Sequence, residues 1–503
     1  MNLTLGSLFD GSGGFPLAGS LSGIEPKWAS EIEPYPIAVT RSRFPNMKHL
    51  GNIMSINGAE IEPVDIVSFG SPCQDLSVAG KRAGLKHSEN GDEETTRSGL
   101  FMEAVRIIKE MRAATGGKYP RYALWENVPG AFSSQKGEDF RVVLEELIKI
   151  VEPNAVMPQV PAKGWAYADC YSGDGWSIAY RVLDAQYIRT AQRRRRIYLI
   201  ADFGGQCARE ILFERDCLRG HSAQSGTERK DLAANVERGV GTADCERKIL
   251  NLNSGNNQPW IAYPIENHHQ DSRVKIDENG VVQTLSGRMG TGGNNVPMVM
   301  QPFCKSTRAR SSDDATTWKE GVVANTINTF DMGETRANEL VVQQVYESHP
   351  QDSRIKEVDE VSPTVSVKWH KGAADTPLVV KETPTKYHYI VRRLTPTECA
   401  RLQGFPDKWG HPDIKENLTD EEWAFWMDVR NTAAEINGKA VKEYTREQML
   451  NWYNKLHTDS SEYKMWGNGI ALPCAQYVME GIAEVARKEK AALSKWLDEL
   501  LND

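Results

Sequence analysis

The sequence lacks the features that are typical of membrane proteins, secreted proteins and proteins with a structural zinc site. No run of apolar residues approaches the length that spans a bilayer, and the first residues contain neither the basic leader nor the apolar segment of a secretory signal. The eight cysteines are scattered, with no C-x-x-C pair and no His/Cys spacing suited to zinc. We therefore expect a cytoplasmic protein with reduced thiols, no membrane partner and no metal.

An excess of positive charge is also missing, because the formal net charge is −8. This value argues against a uniformly basic nucleic-acid binder, although phosphate binding depends on local fields rather than on the total charge. A phosphate-binding cleft must then concentrate its cations, and Arg193 to Arg196 is a visible cluster. A disordered chain is excluded as well, since 40% of the residues are hydrophobic and 25% are charged.

Residues 1–205 alternate short β-branched runs with amphipathic stretches. The alternation predicts strands at residues 4–9, 28–31, 65–70, 122–126 and 197–201, with helices at 100–111 and 140–151 between them. Such a pattern is typical of an α/β fold with a doubly wound, mostly parallel sheet. In these sheets ligands bind beyond the carboxyl ends of the strands, so residues there are candidates for a site. We predict that 1–205 forms a catalytic and cofactor-binding domain.

Residues 206–385 are rich in Gly, Asn, Ser and Thr, and they repeat themselves. The segment from Glu266 to Lys275 returns 81 residues later, from Glu347 to Lys356, and Thr284 has a counterpart in Thr364. A weaker copy surrounds residue 326. Polar positions that recur at one offset indicate repeated loop-and-strand units, and we predict a smaller, strand-rich domain here.

Residues 386–503 form a third segment in this reading. It contains an acidic, Trp-rich helical insertion at about 411–460, and it ends in an amphipathic helix at about 475–501. We expect this segment to complete the second domain and to return to the first.

A glycine-rich loop, Phe9-Asp-Gly11-Ser-Gly13-Gly14, follows the first predicted strand. Glycines at this point let the backbone approach a ligand closely. Glu31 ends the next strand, where an acidic side chain about 20 residues on accepts hydrogen bonds from ribose hydroxyls. Ile32 offers an apolar face to a base. An ordinary connecting turn and a solvated carboxylate are the alternatives, and only the combination favours a ribose-containing ligand.

Cys73 follows the third predicted strand in the turn Ser71-Pro72-Cys73-Gln74. A lone cysteine is more often inert packing than a nucleophile. Its position just past a strand end, behind a proline that restricts the turn, favours the second reading. Glu126 ends the following strand in the same way, so that a thiol and a carboxyl would face one crevice.

These blocks together resemble the cytosine-C5 DNA methyltransferase family of bacterial or phage type. The resemblance rests on an ordered series of motifs: Phe9-x-Gly11-x-Gly13-Gly14, Pro72-Cys73-Gln74, Glu126-Asn127-Val128, Gln192-x-Arg194-x-Arg196, Arg393-Leu-Thr395-Pro396-x-Glu398-x-x-x-Leu402-Gln403-Gly404-Phe405-Pro406 and Gly467-Asn468. They cover about 1–205 and 386–482. The family works in restriction-modification or in phage self-protection.

The resemblance implies S-adenosylmethionine as cofactor, S-adenosylhomocysteine as product and no metal. Its predicted contacts are Phe9, Gly11, Gly13, Gly14, Glu31, Ile32, Asn52, Ile53, Pro72 and Asn468. Two positions depart from the family pattern: Asn52 stands before Ile53 where Asp is common, and Gly469 stands where Ser or Ala is usual.

The resemblance also implies covalent catalysis on a cytosine that is flipped out of double-stranded DNA. The Cys73 thiolate would add to carbon 6, and Glu126 would protonate N3 as a general acid. Arg194 and Arg196 would hold O2 of the base and nearby phosphates. The base that removes the proton from carbon 5 is not identified by the sequence.

The repeated region stands where the family has its target-recognition domain. Arg273 and Arg354 have side chains suited to base edges or phosphates, although turns with internal Arg–Asp pairing explain the repeats equally well. Further expected DNA contacts are Lys81, Arg82, Gln192 and Arg193. We expect a monomer.

Three other functions stay open: an RNA cytosine-C5 methyltransferase, a catalytically silent DNA-binding homologue and a small-molecule methyltransferase. The long region 206–385 argues against the first and the third, and the presence of Cys73, Glu126 and the arginines argues against the second.

Overall fold

The computed structural model describes two long stretches of the chain and a set of strands between them. The described residues are 3–71, 99–188, 190–213, 263–267, 274–276, 282, 284–285, 298–305, 318–320, 345–348, 355–358, 378–379 and 388–502. All structural statements below refer to these residues. None of the helices among them is long and apolar enough to cross a membrane.

An eight-stranded mixed sheet forms the centre of the first stretch. Its strands are β1 (Thr4–Leu8), β2 (Glu25–Ser30), β3 (Lys48–His49), β4 (Ile66–Phe69), β5 (Tyr122–Asn127), β6 (Ala168–Gly173), β7 (Trp176–Asp184) and β8 (Arg195–Asp202). They lie in the order β3-β2-β1-β4-β5-β8-β7-β6. The first five strands are mutually parallel, whereas β8, β7 and β6 are joined by antiparallel pairing. The order in which strands are added to the sheet reverses between β1 and β4, and such sheets bind ligands at this switch point.

Helices cover both faces of this sheet. They are α1 (Gly14–Leu21), α2 (Pro34–Arg43), α3 (Gly99–Ala114), α4 (Glu138–Ile148) and α5 (Ala208–Leu212). Successive strand residues point to opposite faces, so that Ile66 and Leu124 join one buried cluster while Val67 and Trp125 join the other. This is why the central strands read as continuous apolar runs: β4 and β5 are buried along their whole length.

The predicted α/β class with a mostly parallel sheet is confirmed, and all five predicted strands are present. The prediction missed β3, β6 and β7. β3 has only two residues, and β6 is largely exposed, so neither carries a hydrophobic pattern. β7 does carry one, with the run Trp176–Asp184 buried at its start. The prediction assumed that strands alternate with helices. β7 did not fit that pattern, because β6, β7 and β8 follow one another in the chain as antiparallel neighbours.

Two further sheets are formed by the repeated region together with one strand of the segment that follows it. One contains β9 (Tyr263–Asn267), β10 (Val274–Ile276), β11 (Met298–Lys305), β12 (Trp318–Glu320) and β16 (His388–Arg393), and the other contains β13 (Val345–Ser348), β14 (Ile355–Val358) and β15 (Leu378–Val379).

The hairpins β9-β10 and β13-β14 share one register. Glu266 faces Lys275 in the first, and Glu347 faces Lys356 in the second, so both members of the pair are shifted by the same 81 residues. The sequence repeat therefore corresponds to a repeated antiparallel hairpin. The exact limits of the second domain stay a prediction.

The last segment is helical, with α6 (Pro396–Leu402), α7 (Asp420–Ile436), α8 (Arg446–Tyr453), α9 (Asp459–Asn468) and α10 (Leu472–Asn502). α10 packs against α1 and α5. Helices α7 and α8, which belong to the insertion, bury a small apolar cluster against Ile37 and Ala38 of α2. The Arg41 guanidinium of α2 lies 3.9 Å from the ring centroid of Phe425 in α7.

Candidate active site

The three glycines of the loop between β1 and α1 have different structural roles. Gly11 has φ 55°, and a methyl group on it would meet only the Phe9 carbonyl oxygen, at 3.9 Å. On Gly13 a methyl group would lie 2.8 Å from Thr40 of α2, and on Gly14 it would lie 2.5 Å from Ile470. Gly11 therefore borders open space suited to a ligand, whereas the other two allow close packing of α2 and the C-terminal segment.

Glu31, at the end of β2, ties this loop to the next one. Its carboxylate accepts hydrogen bonds from the backbone N–H of Gly11 at 2.7 Å, of Ile32 at 2.7 Å and of Glu33 at 2.9 Å. Burial raises the pKa of this carboxyl, and the three N–H donors oppose that shift. The carboxylate is thus held in one orientation at the carboxyl edge of the sheet.

The other predicted cofactor residues lie around the same edge. Phe9 is half-buried with φ 55°, an uncommon backbone conformation that clusters at functional sites. Ile32 is half-buried too. The Asn52 Oδ1 accepts from Met54 N at 3.1 Å and thereby caps a 3-10 helix, while Ile53 is buried in the core. The amide at 52 therefore has a local structural task.

The segment after α9 closes over the glycine loop. Asn468 is exposed, and Gly469 is buried between Ser12 and Gln403. Gln403 donates to the Trp466 carbonyl oxygen, and Trp409 Nε1 donates to the Ser12 carbonyl oxygen at 2.8 Å. The sequence motifs gave no role to Ser12, Gln403 or Trp409, although Gln403 is part of the motif that begins at Arg393. These residues lock the loop in place.

Gly469 has a physical reason to depart from Ser or Ala. A methyl group at this position would lie 2.9 Å from Ser12 Oγ and 3.1 Å from Gln403 Oε1. We expect Gly469→Ala to lower the free energy of unfolding by about 1–3 kcal/mol, as overpacking of a buried site does, and to weaken cofactor binding several-fold. Denaturant titration and calorimetry measure both. Gly99→Ala is the control, because no residue that the structure describes lies within 4 Å of a methyl group there. Equal behaviour of the two variants would contradict the steric explanation.

Glu126 lies at the carboxyl end of β5 beside Arg196, which begins antiparallel β8. Arg196 Nε is 3.2 Å from Glu126 Oε1, and both side chains are largely buried. Burial raises the pKa of Glu126, and the charges of Arg196 and Arg194 partly lower it. The result is a carboxyl group that burial biases towards its protonated form next to a fixed positive charge.

The same carboxyl faces the end of β4. A methyl group on Gly70 would lie 3.4 Å from Glu126 Oε2, because β4 and β5 are parallel neighbours with Phe69 opposite Trp125. Trp125 Nε1 donates to Ser71 Oγ at 3.3 Å. Gly70 and Ser71, which precede Pro72 and Cys73 in the sequence, therefore lie beside Glu126 and Trp125.

The two predicted catalytic arginines have different surroundings. Arg194 is buried, and its guanidinium donates to the carbonyl oxygen of Leu285 at 3.1 Å and to that of Gly469. Burial lowers the pKa of Arg194. Of the cations in the described part of the chain, Arg196 alone lies within ion-pair distance of Glu126. The structure thus brings Glu126 and Arg196 together and turns two donors of Arg194 to backbone carbonyls.

Gln192 lies beneath a docked segment of the repeated region. Arg193 N donates to the Val282 carbonyl oxygen at 2.8 Å, and Thr284 Oγ1 donates to the Arg193 carbonyl oxygen at 2.5 Å. Gln192 is completely buried, which does not fit the prediction that its side chain contacts DNA. The Arg193 side chain is exposed, as a DNA contact requires.

Six predicted site residues lie outside the described part of the chain. They are Pro72, Cys73, Lys81, Arg82, Arg273 and Arg354.

Comparison with known families decides the membership of the chain. Residues 3–151 and 171–421 match the model of the C-5 cytosine-specific DNA methylase family. The chain belongs to this family. The resemblance stated from the sequence motifs is confirmed, and the chain is a methyltransferase by family.

Relatives of this methylase occur in phages and bacteria. A protein of Escherichia phage P1 named DNA N-6-adenine-methyltransferase is 26% identical over 97% of this chain, which spans 62% of that relative's length. The orphan methyltransferase M.SPRI of Bacillus phage SPR is 24% identical over 80% of this chain and 88% of its own length. Among solved structures, the Dnmt2 methyltransferase of S. pombe is 15% identical, with a TM-score of 0.43 over 96% of this chain and 99% of that one.

Proposed function

We propose that the protein transfers a methyl group to carbon 5 of a flipped-out cytosine in double-stranded DNA, through a covalent adduct of Cys73. The observation that carries the proposal is the buried pair of Glu126 and Arg196 against Gly70, the residue that leads from β4 towards Cys73. A proton donor, a fixed cation and a thiol at neighbouring strand ends are the groups that this reaction needs.

The described residues fit S-adenosylmethionine as the methyl donor. Gly11 borders space that no other described residue fills, the Glu31 carboxylate is held at the same loop, and exposed Asn468 precedes Gly469, which lies beside Ser12 of that loop. Phe9, Ile32, Asn52, Ile53 and Pro72 complete the proposed set. The cofactor supplies an electrophilic methyl group on a sulfonium, and the protein's own task is to hold it over the reacting carbon.

Cytosine carbon 5 is a weak nucleophile, and in this scheme two residues, Cys73 and Glu126, activate it. The Cys73 thiolate forms a bond to carbon 6, and the electron pair of the 5,6 double bond moves into the ring. Glu126 donates its proton to N3, where negative charge develops. Carbon 5 then takes the methyl group from S-adenosylmethionine, and S-adenosylhomocysteine leaves. A base removes the carbon 5 proton, the Cys73 sulfur leaves as carbon 5 and carbon 6 regain their double bond, and the N3 proton returns to Glu126.

The arginines divide the remaining work. Arg196 would act on the base: its guanidinium, which pairs with Glu126, would hold O2 and keep Glu126 in position. Arg194 is a positioning residue that ties β8 to Leu285 and to Gly469. The two hydrogen bonds of the Arg194 side chain thereby connect the proposed recognition region, the catalytic sheet and the proposed cofactor segment.

Target recognition falls to the repeated hairpins in this proposal. The hairpins β9-β10 and β13-β14 carry Arg273 and Arg354 next to their strands, and Val282 to Leu285 docks the first copy beside exposed Arg193. Lys81 and Arg82 would add phosphate contacts. The protein acts as a monomer in this scheme.

The name of the phage P1 relative raises methylation of adenine N6 as a second candidate. An exocyclic amine attacks a methyl group directly and needs neither a thiol adduct nor a ring proton donor. The Glu126–Arg196 pair is therefore an argument for cytosine.

Labelled-methyl transfer decides between the candidates. The purified protein is incubated with tritiated S-adenosylmethionine and duplex DNA, and parallel reactions contain RNA. Acid hydrolysis of the DNA should yield labelled 5-methylcytosine, and bisulfite sequencing should place it in a defined sequence. Label in N6-methyladenine, in RNA alone or in neither nucleic acid would refute the proposal.

A further inference from the structure

Two histidines and a buried glutamate meet at a point that the proposed reaction does not use. His457 Nε2 lies 2.9 Å from Glu462 Oε2, and His411 Nε2 lies 3.8 Å from the same oxygen. The two imidazole centroids are 4.5 Å apart. We propose that His411, His457 and Glu462 bind a divalent transition-metal ion of the Zn²⁺ class, which fixes the loop behind the glycine-rich turn.

The three ligand atoms have the spacing that one ion requires. All of them lie within 4.8 Å of one another. Two imidazole nitrogens and one carboxylate oxygen form a set that suits zinc and its neighbours in the first transition row, whereas Mg²⁺ and Ca²⁺ prefer oxygen ligands. His411 is 46% exposed, so an ion has access and a water molecule can occupy a fourth position.

A hydrogen bond to the second oxygen of the Glu462 carboxylate orients this group for metal binding. Trp466 Nε1 donates to Glu462 Oε1 at 3.1 Å, which leaves Oε2 facing the two histidines. Bonds of this kind orient ligands in metal sites. A methyl group on Gly410 would lie 2.6 Å from Glu462 Oε1, so only glycine lets the chain bring His411 this close.

Charge gives a second reason for an ion. The Glu462 side chain is 3% exposed, and among the described residues only His411 and His457 lie within ion-pair distance of it. A divalent cation held by these three residues would compensate the charge of the buried carboxylate.

The site would act on the cofactor region through the loop before His411. Trp409 donates to the Ser12 carbonyl oxygen at 2.8 Å, and the Tyr35 hydroxyl donates to the Gly410 carbonyl oxygen at 2.5 Å. The Tyr35 ring also stacks on His457 with centroids 5.9 Å apart. An ion would therefore anchor the segment that packs on the glycine-rich loop. Sequence spacing did not indicate this cluster, because His411 lies far along the chain from His457 and Glu462.

Metal titration of the full-length chain tests the proposal. Protein stripped with a chelator is titrated with ZnCl₂ by calorimetry, and Co²⁺ absorption reports the ligand geometry. We expect one equivalent to bind to this cluster and to raise the melting temperature. His411→Gln and His457→Gln should each weaken this binding at least tenfold, while Glu416→Gln, an exposed carboxylate of the same insertion, should leave it unchanged.

Cofactor affinity provides the second readout. Stripping the ion should weaken S-adenosylmethionine binding in the wild type and have no effect in His411→Gln. Binding that is equally strong in wild type and both histidine variants, or no binding at all, would overturn the site. An unchanged cofactor affinity in the stripped wild type would overturn its link to the glycine-rich loop. Both histidines are partly exposed, so their replacement should leave the fold intact.

Discussion

Replacement of Cys73 by serine should abolish methyl transfer while cofactor binding stays nearly intact. Serine is a far weaker nucleophile at neutral pH, and loss of a catalytic nucleophile costs on the order of 10⁴-fold or more in rate. The proposed cofactor residues, among them Gly11, Glu31 and Asn468, do not include Cys73. Single-turnover transfer of labelled methyl groups measures the rate, and calorimetry measures the cofactor affinity.

A matched control uses another thiol. Cys170 is an exposed, free cysteine of β6, so Cys170→Ser should transfer methyl groups at the wild-type rate. Duplex DNA that contains 5-fluorocytosine should trap the wild type and Cys170→Ser as covalent adducts, because fluorine cannot leave as a proton does. Substantial activity or an adduct in Cys73→Ser would refute the covalent scheme.

Replacement of Glu126 by glutamine should lower the rate of methyl transfer about 10²- to 10⁴-fold, the usual contribution of a general acid. This loss corresponds to roughly 3–5 kcal/mol of barrier. Glutamine keeps the shape and can donate a hydrogen bond to N3, but it cannot deliver a proton. Glu138→Gln makes the same change at an exposed helix residue and should be silent.

The pH profile separates proton donation from a structural effect. Burial raises the pKa of Glu126, so its protonated form exists below that raised value and is lost as the pH increases through it. The wild-type rate should therefore rise with formation of the Cys73 thiolate and fall again as Glu126 ionises. Glu126→Gln should retain the rising limb and lose the falling one. A falling limb that persists in the variant would assign it to another group.

The sequence alone predicted where the chemistry lies along the chain. The short β-branched runs predicted five strands, and the placement of Cys73 and Glu126 directly after two of them predicted a shared crevice. The described residues put Glu126 against Gly70 at the end of the neighbouring strand. This part was predictable because strand periodicity and strand ends are local properties, and parallel neighbours present their carboxyl ends at one edge.

The tertiary structure alone decided how similar residues divide their tasks. Arg194 and Arg196 are two positions apart and look alike in the sequence, yet one binds the Leu285 and Gly469 carbonyls and the other pairs with Glu126. Gly13 and Gly14 allow neighbouring elements to pack closely. Gln192 is buried beside Val282, and His411 lies close to Glu462. Each of these outcomes depends on contacts between residues far apart in the chain. A local sequence pattern does not specify which distant residue folding brings into contact.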